Sequence, residues 1–389
     1  TGEVARRVTF TELFFDLVFV FAVTQVSQIL VENHSLLGIL YTLMLSAAIW
    51  WIWVDTTWIT NWLNPENGWV RAMLIALMAL GLLMSSAIQH AFSDRAVLFA
   101  ISLVTLQLGR NVFTILAFAK HRPAHAGNMF RMAVWLAASG GFWLAGAFLP
   151  HIQLWLWLIA ILIDYSGPAA RFRIPKMGPS PLESWDITGA HMAERVSLFI
   201  IIALGESIIV AGSTFSSQEI IWSTVSAFFA AFIGSVLLWL LYFSRSQGDG
   251  RDYIEHASES GRIARTAYTY VPVLMVLGVI ITAVADHAIL LESNGTSAWP
   301  VGLLCSGAGL YLLGNALFRR ATGGPWLSGH FVGMAALAGL FLLYPVLTVL
   351  TLSWLTNVVL LGTVVVDELQ FRRRSRRRNS SWRWEELRG

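Results

Sequence analysis

The chain is written in long apolar runs separated by short polar stretches. A membrane-spanning helix needs about 20 mostly apolar residues. Runs of that kind fall at 13–31, 36–60, 70–92, 96–119, 130–149, 152–165, 195–214, 219–243, 267–291, 299–318, 327–343 and 346–368. The sixth is short and stops at Gly167-Pro168; the eleventh is short too, and Pro345 separates it from the twelfth. The longest hydrophilic connections are 171–194 and 244–266, and an arginine-rich tail begins at Arg372. The pattern predicts an all-α polytopic membrane protein of about twelve transmembrane helices.

Composition supports that reading. Only 13% of the residues are charged and 56% are hydrophobic. A soluble protein of this size carries about 25% charged residues and needs them to cover its surface. The 18 tryptophans suit a membrane protein, because indole favours the membrane–water interface. The apolar run that follows Arg6 and Arg7 is too long, and too acidic, for a cleavable signal peptide, so it is read as the first spanning helix.

Charge then sets the orientation. With the N-terminus inside and twelve alternating spans, all but two of the 26 Lys and Arg fall on the inner side. The exceptions are Arg95, outside, and Arg110, within a span. Removing one internal helix would move many of these cations outward, so the positive-inside rule favours an even count with both termini cytoplasmic, in the plasma membrane.

The chain also repeats itself. The third run carries Met78, Leu80-Gly81, Ser85 and Gln89-His90-Ala91; the ninth carries Met275, Leu277-Gly278, Thr282 and Asp286-His287-Ala288 at the same spacing. Leu108-Gly109-Arg110 with Phe113 matches Leu313-Gly314-Asn315 with Phe318. Ser46, Trp50 and Trp53 match Ser235, Trp239 and Tyr242; Gly140 and Phe142 match Gly339 and Phe341. Glu12 matches Glu194 near the opening of each half, and Asp164 matches Asp367 at the close. Collinear order makes chance a poor explanation. The expected organisation is a first six-helix repeat at 1–170, a linker at 171–194, a second repeat at 195–371 and a basic tail at 372–389. An even number of spans per repeat makes the repeats parallel, an arrangement found in transporters with sites at the repeat interface.

Ionisable residues inside spans are costly and mark function or buried pairing. Arg110 lies ~14 Å and Glu206 ~16 Å from the inner surface, at 1.5 Å rise per residue. The matching depths make Arg110–Glu206 a plausible ion pair between repeats. Asp16, ~5 Å deep by the same rise, shares a face with Glu12 and is the rival partner, since an arginine can snorkel toward it. The repeat equivalents of Arg110, Glu206 and Asp16 are Asn315, Thr24 and Leu198, so these charges are not duplicated with the scaffold. That asymmetry points equally to a specialised site and to structural pairing.

Other polar residues are more ambiguous. Gln25, Gln28, Gln107 and Asn111 line a polar path or bond helix to helix. His90 and His287, with Asp286, could hold a proton or a metal, or simply end helices at the interface. Asp55 and Asp164 read as helix-end anchors at the inner face. The basic cluster Arg372 to Arg378 fits either anionic lipid or an orientation signal. The lone Cys305 builds neither a disulfide nor a thiol metal site. Without a nucleotide-binding loop or a nucleophile elbow, no cofactor, nucleic acid partner or catalytic residue is expected.

Two segments carry a family resemblance. Glu12-Leu-Phe-Phe-Asp16-Leu-Val-Phe-Val, running on to Gln25-Val, resembles the opening signature of the bacterial low temperature requirement protein A family. Glu194-Arg195 followed by Ala203-Leu-Gly-Glu206-Ser-Ile resembles its second signature. The likeness covers nearly all of the chain except the tail and implies weight on Glu12, Asp16, Glu194, Arg195 and Glu206. In addition, Phe15-Asp16 followed by Val18-Phe19 is similar to the first helix of a potassium-channel family built from six-helix repeats, which has Ser where this chain has Phe15. The expected function is a secondary transporter or ion-coupled permease for an unknown small molecule or ion. The alternatives are an ion channel and a lipid-binding or lipid-modifying membrane protein.

Overall fold

The computed structural model describes residues 8–181, 189–243 and 265–386, the side chains of 265, 266 and 373–386 excepted. Arg6, Arg7, Arg245, Arg251, Arg262 and Arg388, and the side chains of Arg265 and of the tail arginines from Arg373 on, lie outside the described residues.

Among the described residues there are twelve α-helices: α1 Phe10–Glu32, α2 Leu36–Trp62, α3 Gly68–Ser85, α4 Ala96–Phe118, α5 Pro123–Phe148, α6 Gln153–Ala169, α7 Gly189–Ser216, α8 Trp222–Leu241, α9 Pro272–Leu291, α10 Ala298–Ala321, α11 Ser328–Phe341 and α12 Val349–Glu386. A π-helical turn, Arg265–Tyr270, precedes α9. The only β feature described is an isolated bridge, Ile174 with Gly178.

Ten helices are long and apolar enough to cross a membrane. The sixth run, expected to be short, qualifies once Pro150–Ile152 is joined to it, and α6 carries Pro168 in its last turn before ending at Ala169. The fifth does not qualify: α5 is 26 residues long, but Arg131, two tryptophans and several glycines dilute its apolar character. α11, at 14 residues, is short as its sequence implied. The chain is thus an all-helical, multi-pass membrane protein. Its surface agrees: Leu116, Leu162 and Val332 are each at least two-thirds exposed, while carboxylates and arginines are buried inside. Large apolar side chains facing outward and charges facing inward are what a lipid solvent demands.

Local sequence explains the helix starts. Thr9 and Glu12 form a capping box: the Thr9 hydroxyl accepts from the Glu12 amide, and the Glu12 carboxylate accepts from the Thr9 amide at 2.9 Å. Ser35 caps α2 and Asn67 caps α3 through side-chain oxygens. Pro123 occupies the first turn of α5, where its missing N–H costs nothing.

By packing, the chain divides into two compact units. The first comprises Thr1–Glu206 and Gly250–Val273; the second comprises Ser207–Asp249 and Leu274–Gly389. In the first unit α4 packs on α3 and α5, α5 on α6, and α1 on α2 and α3. The core of α2 is aromatic, with Trp50, Trp51 and Trp53 all buried. Trp50 and Trp58 donate their indole N–H groups to Thr269, to its carbonyl at 2.6 Å and its hydroxyl at 3.0 Å. This ties the π-helical turn to α2.

In the second unit α12 packs on α8, α10 and α11, and α10 on α11. α9 meets α10 backbone to backbone. A Cβ on Gly278 would lie 2.7 Å from the Gly307 carbonyl oxygen and 2.8 Å from the Tyr311 nitrogen. Lipid tails give helices no hydrophobic reason to associate, so small residues that let backbones approach supply the packing. Gly278→Val should therefore cost about 1–3 kcal/mol by overpacking. Melting of the purified variant in detergent checks this; an unchanged midpoint would show that α9 and α10 separate freely.

Candidate functional site

Charges collect in the first unit. Among the described residues, Glu12, Asp16, Asp55, Asp164 and Glu206 are buried there with Arg110, Arg195 and His191. They form two clusters and one isolated carboxylate.

The first cluster joins α1 to α7. Glu12 and Asp16 stand one helical turn apart on α1; His191 and Arg195 stand one turn apart on α7. All four are at most 1% exposed. Glu12 Oε2 completes the capping box, and its Oε1 lies 3.0 Å from His191 Nε2 and 3.5 Å from Arg195 Nη1. Asp16 Oδ1 accepts from Arg195 Nη2 at 2.6 Å and from the Trp53 indole at 2.7 Å. The guanidinium also sits 5.8 Å from the Trp53 ring centroid, within cation–π range. Asp16 Oδ2 and Arg195 Nε have no hydrogen-bond partner. Two carboxylates therefore share one fixed cation in a site with an open oxygen.

The second cluster is built by α2, α4, α5 and α6. Arg110 donates through Nη1 to the Ile52 carbonyl at 2.9 Å and the Thr56 hydroxyl at 2.8 Å, and through Nη2 to Asp55 at 3.2 Å. Asp164 feels the Arg110 charge, and its Oδ2 accepts from the Trp143 indole at 3.4 Å. Gln107 Oε1, both amide atoms of Asn111 and Asp164 Oδ1 are buried without partners.

These arrangements correct three sequence expectations. Arg110 pairs with Asp55 rather than with Glu206 or Asp16. Glu206 instead accepts from the Thr24 hydroxyl at 2.6 Å, and Asp16 is taken by Arg195. Equal depth in the membrane does not make two side chains neighbours; α2 lies against α4 and brings Asp55 to the arginine first. Secondly, Asp55 and Asp164 are not helix-end anchors. α2 runs on to Trp62 and α6 to Ala169, leaving both carboxyls in the packed interior at no more than 5% exposed. Thirdly, Glu194, matched in sequence to Glu12, is exposed and accepts from the Val8 amide at 3.3 Å. His191 takes the buried role. It precedes the apolar run, and the sequence signal that points to it is its i,i+4 spacing from Arg195.

The remaining candidates are dispersed. Gln25 and Gln28 are half-buried on α1, Gln107 and Asn111 are buried on α4, and no hydrogen bond joins the two pairs. His90 and His287, matched in sequence, adopt different local structures. α3 stops at Ser85, so His90 falls in a short 3₁₀ turn, 3.9 Å from Asp94. α9 continues, and His287 Nδ1 lies 2.7 Å from the Thr214 hydroxyl. A hydrogen bond from the Ser93 hydroxyl, with the His90 and Arg95 charges behind it, holds the exposed Asp94 carboxyl below its ordinary pKa. No three His, Cys, Asp or Glu among the described residues are placed to hold a metal ion. Of the tail, Arg372 pairs with Glu368 at 2.6 Å.

Comparison with known proteins adds the family. The chain is 35% identical over 362 residues to "Uncharacterized protein RA0937" of Rhizobium meliloti (strain 1021), covering 92% of this chain and 88% of that protein. No solved structure matches. The family model for the bacterial low temperature requirement A protein matches residues 7–365, which include both buried clusters. The chain belongs to the bacterial low temperature requirement A family.

Proposed function

We propose that this protein is an ion-coupled secondary transporter whose coupling ion is taken at the α1–α7 cluster. The carrying observation is the charge count there: Glu12 and Asp16 face one permanent cation, Arg195, and one titratable partner, His191, and Asp16 Oδ2 is buried without a partner. Burying an uncompensated carboxylate is expensive. One further positive charge, supplied by a proton on His191 or on a carboxyl or by a monovalent cation, balances the site. Binding and release of that charge is the event a coupled transporter needs.

The repeat strengthens the reading. Thr24 and Glu206 occupy matched sequence positions, and their side chains meet. Such contacts between matched residues are what a pseudo-twofold axis between parallel repeats produces, and transporter sites lie at such axes.

Rapid pH, Na⁺ or K⁺ jumps on proteoliposomes adsorbed to a supported membrane test the proposal. The wild type should displace charge with at least one of these ions. Asp16→Asn should reduce the displaced charge more than tenfold while the protein stays folded and monodisperse. Full charge displacement in Asp16→Asn would remove this carboxylate from coupling. A steady, voltage-driven current in place of a transient would favour the channel reading.

A further inference from the structure

The second unit contains a buried imidazole that the proposed function does not use. His330, on α11, is fully buried. Its Nε2 lies 3.1 Å from Asn315 Oδ1 on α10. The amide of Asn315 cannot be turned the other way, because its Nδ2 donates to the Leu241 carbonyl at 3.2 Å. Oδ1 is therefore an acceptor, and His330 Nε2 must carry a hydrogen. That leaves Nδ1, which has no hydrogen-bond partner and lies 3.4 Å from Asp367 Oδ2 on α12.

A neutral imidazole with its hydrogen on Nε2 would turn an Nδ1 lone pair toward a carboxylate oxygen. An ionised Asp367 would answer with another lone pair, which is repulsive in a site where His330 is sealed from water. One proton resolves the conflict. Bound at Nδ1, it makes an imidazolium that faces the carboxylate across 3.4 Å.

Glycine builds the approach. A Cβ on Gly329 would lie 3.3 Å from Asp367 Oδ1 and 3.0 Å from Val366, and one on Gly333 would lie 2.7 Å from the Thr363 hydroxyl. The Gly329-x-x-x-Gly333 stripe lets α11 settle on α12 closely enough to bring the ring to the carboxyl. The described charged side chains on the two helices packed against α11 are Arg319 and Arg320 on α10, and Asp367, Glu368 and Arg372 on α12. Glu368 is engaged by Arg372. Asp367 is the group that pairs with His330.

We propose that His330 and Asp367, keyed by Asn315, form a proton-binding site in the second unit that loads and unloads one proton at His330 Nδ1. The sequence repeat makes its logic plain. Asn315 is the counterpart of Arg110, and Asp367 of Asp164. Where the first unit sets a permanent cation beside its aspartate, the second sets a cation that can be switched off. The inference rests on the transport reading only for the use of the proton, not for its binding.

Solid-state NMR of ¹⁵N-histidine-labelled protein in lipid bilayers tests it, with His330→Gln to assign the signal. If that variant fails to fold, contact with labelled Asn315 assigns it in the wild type. Between pH 5 and pH 9, His330 should pass from a doubly protonated ring to a ring protonated at Nε2 alone. Asp367→Asn should lower the midpoint by at least one pH unit, a tenfold loss of proton affinity. A His330 signal that does not change across that range, or a midpoint indifferent to Asp367→Asn, overturns the proposal. The pH-jump experiment fails separately: a normal His330 titration with no charge displacement under any ion would sink the transport reading and leave the proton site standing.

Discussion

Arg195→Gln should be the most damaging single substitution in this chain. Among the described residues, Arg195 is the only fixed cation for Glu12 and Asp16, both fully buried. Removing one partner of a buried ion pair costs about 3–5 kcal/mol, because the remaining charge is stranded in a poor solvent. Here Asp16 loses its counter-charge and Glu12 is left with His191 and its cap, in a protein whose total stability is expected to be of order 5–15 kcal/mol. The variant should fail to run as a monodisperse peak after detergent extraction, or melt far below the wild type. Arg195→Lys keeps the charge but loses the fork that reaches both acids, so its melting point should fall between the two. Combining Arg195→Gln with Asp16→Asn should recover part of the loss. A single variant as stable as wild type would mean that the acids are neutralised without Arg195.

The second large effect concerns Arg110. Arg110→Gln removes the donor to Asp55, to the Ile52 carbonyl and to the Thr56 hydroxyl together. A similar loss of about 3–5 kcal/mol is expected. Its rescue identifies the partner. Asp55→Asn in the Arg110→Gln background should restore stability, with a coupling energy of about 0.5–3 kcal/mol. Glu206→Gln in the same background should restore nothing, since Glu206 is held by Thr24. Melting of these three variants, the two single acid variants and the wild type decides between the two pairings; rescue by Glu206→Gln alone would reinstate the partner suggested by depth.

The contrast between those pairings shows what was legible beforehand. Hydrophobic run lengths place the twelve helices of the described residues, and the family signatures pick out Glu12, Asp16 and Arg195, which do meet. Partner choice was hidden. A helix that is apolar all round has no polar face to show which way it is turned, so its sequence gives the depth of a residue and not its direction. Arg110 was assigned by depth and went to the wrong acid for that reason. Asp55 and Asp164 were misjudged because an apolar run is shorter than the helix that contains it. His191 was missed at the other end of the same error, since α7 begins six residues before the apolar run at 195. The His330 site was invisible because its members come from three helices, and only packing brings them together.

The α1–α7 cluster also bears on how the protein is made. The residues that neutralise Glu12 and Asp16 lie 179 positions further along the chain. A ribosome adds about 5–20 residues per second, so the first helix, which ends at Glu32, is finished roughly eight to thirty-three seconds before its counter-charge exists. During that interval α1 carries two uncompensated acids beside its own N-terminal cap. The contacts that neutralise α1 therefore form only after α7, which carries the second signature segment, has been made.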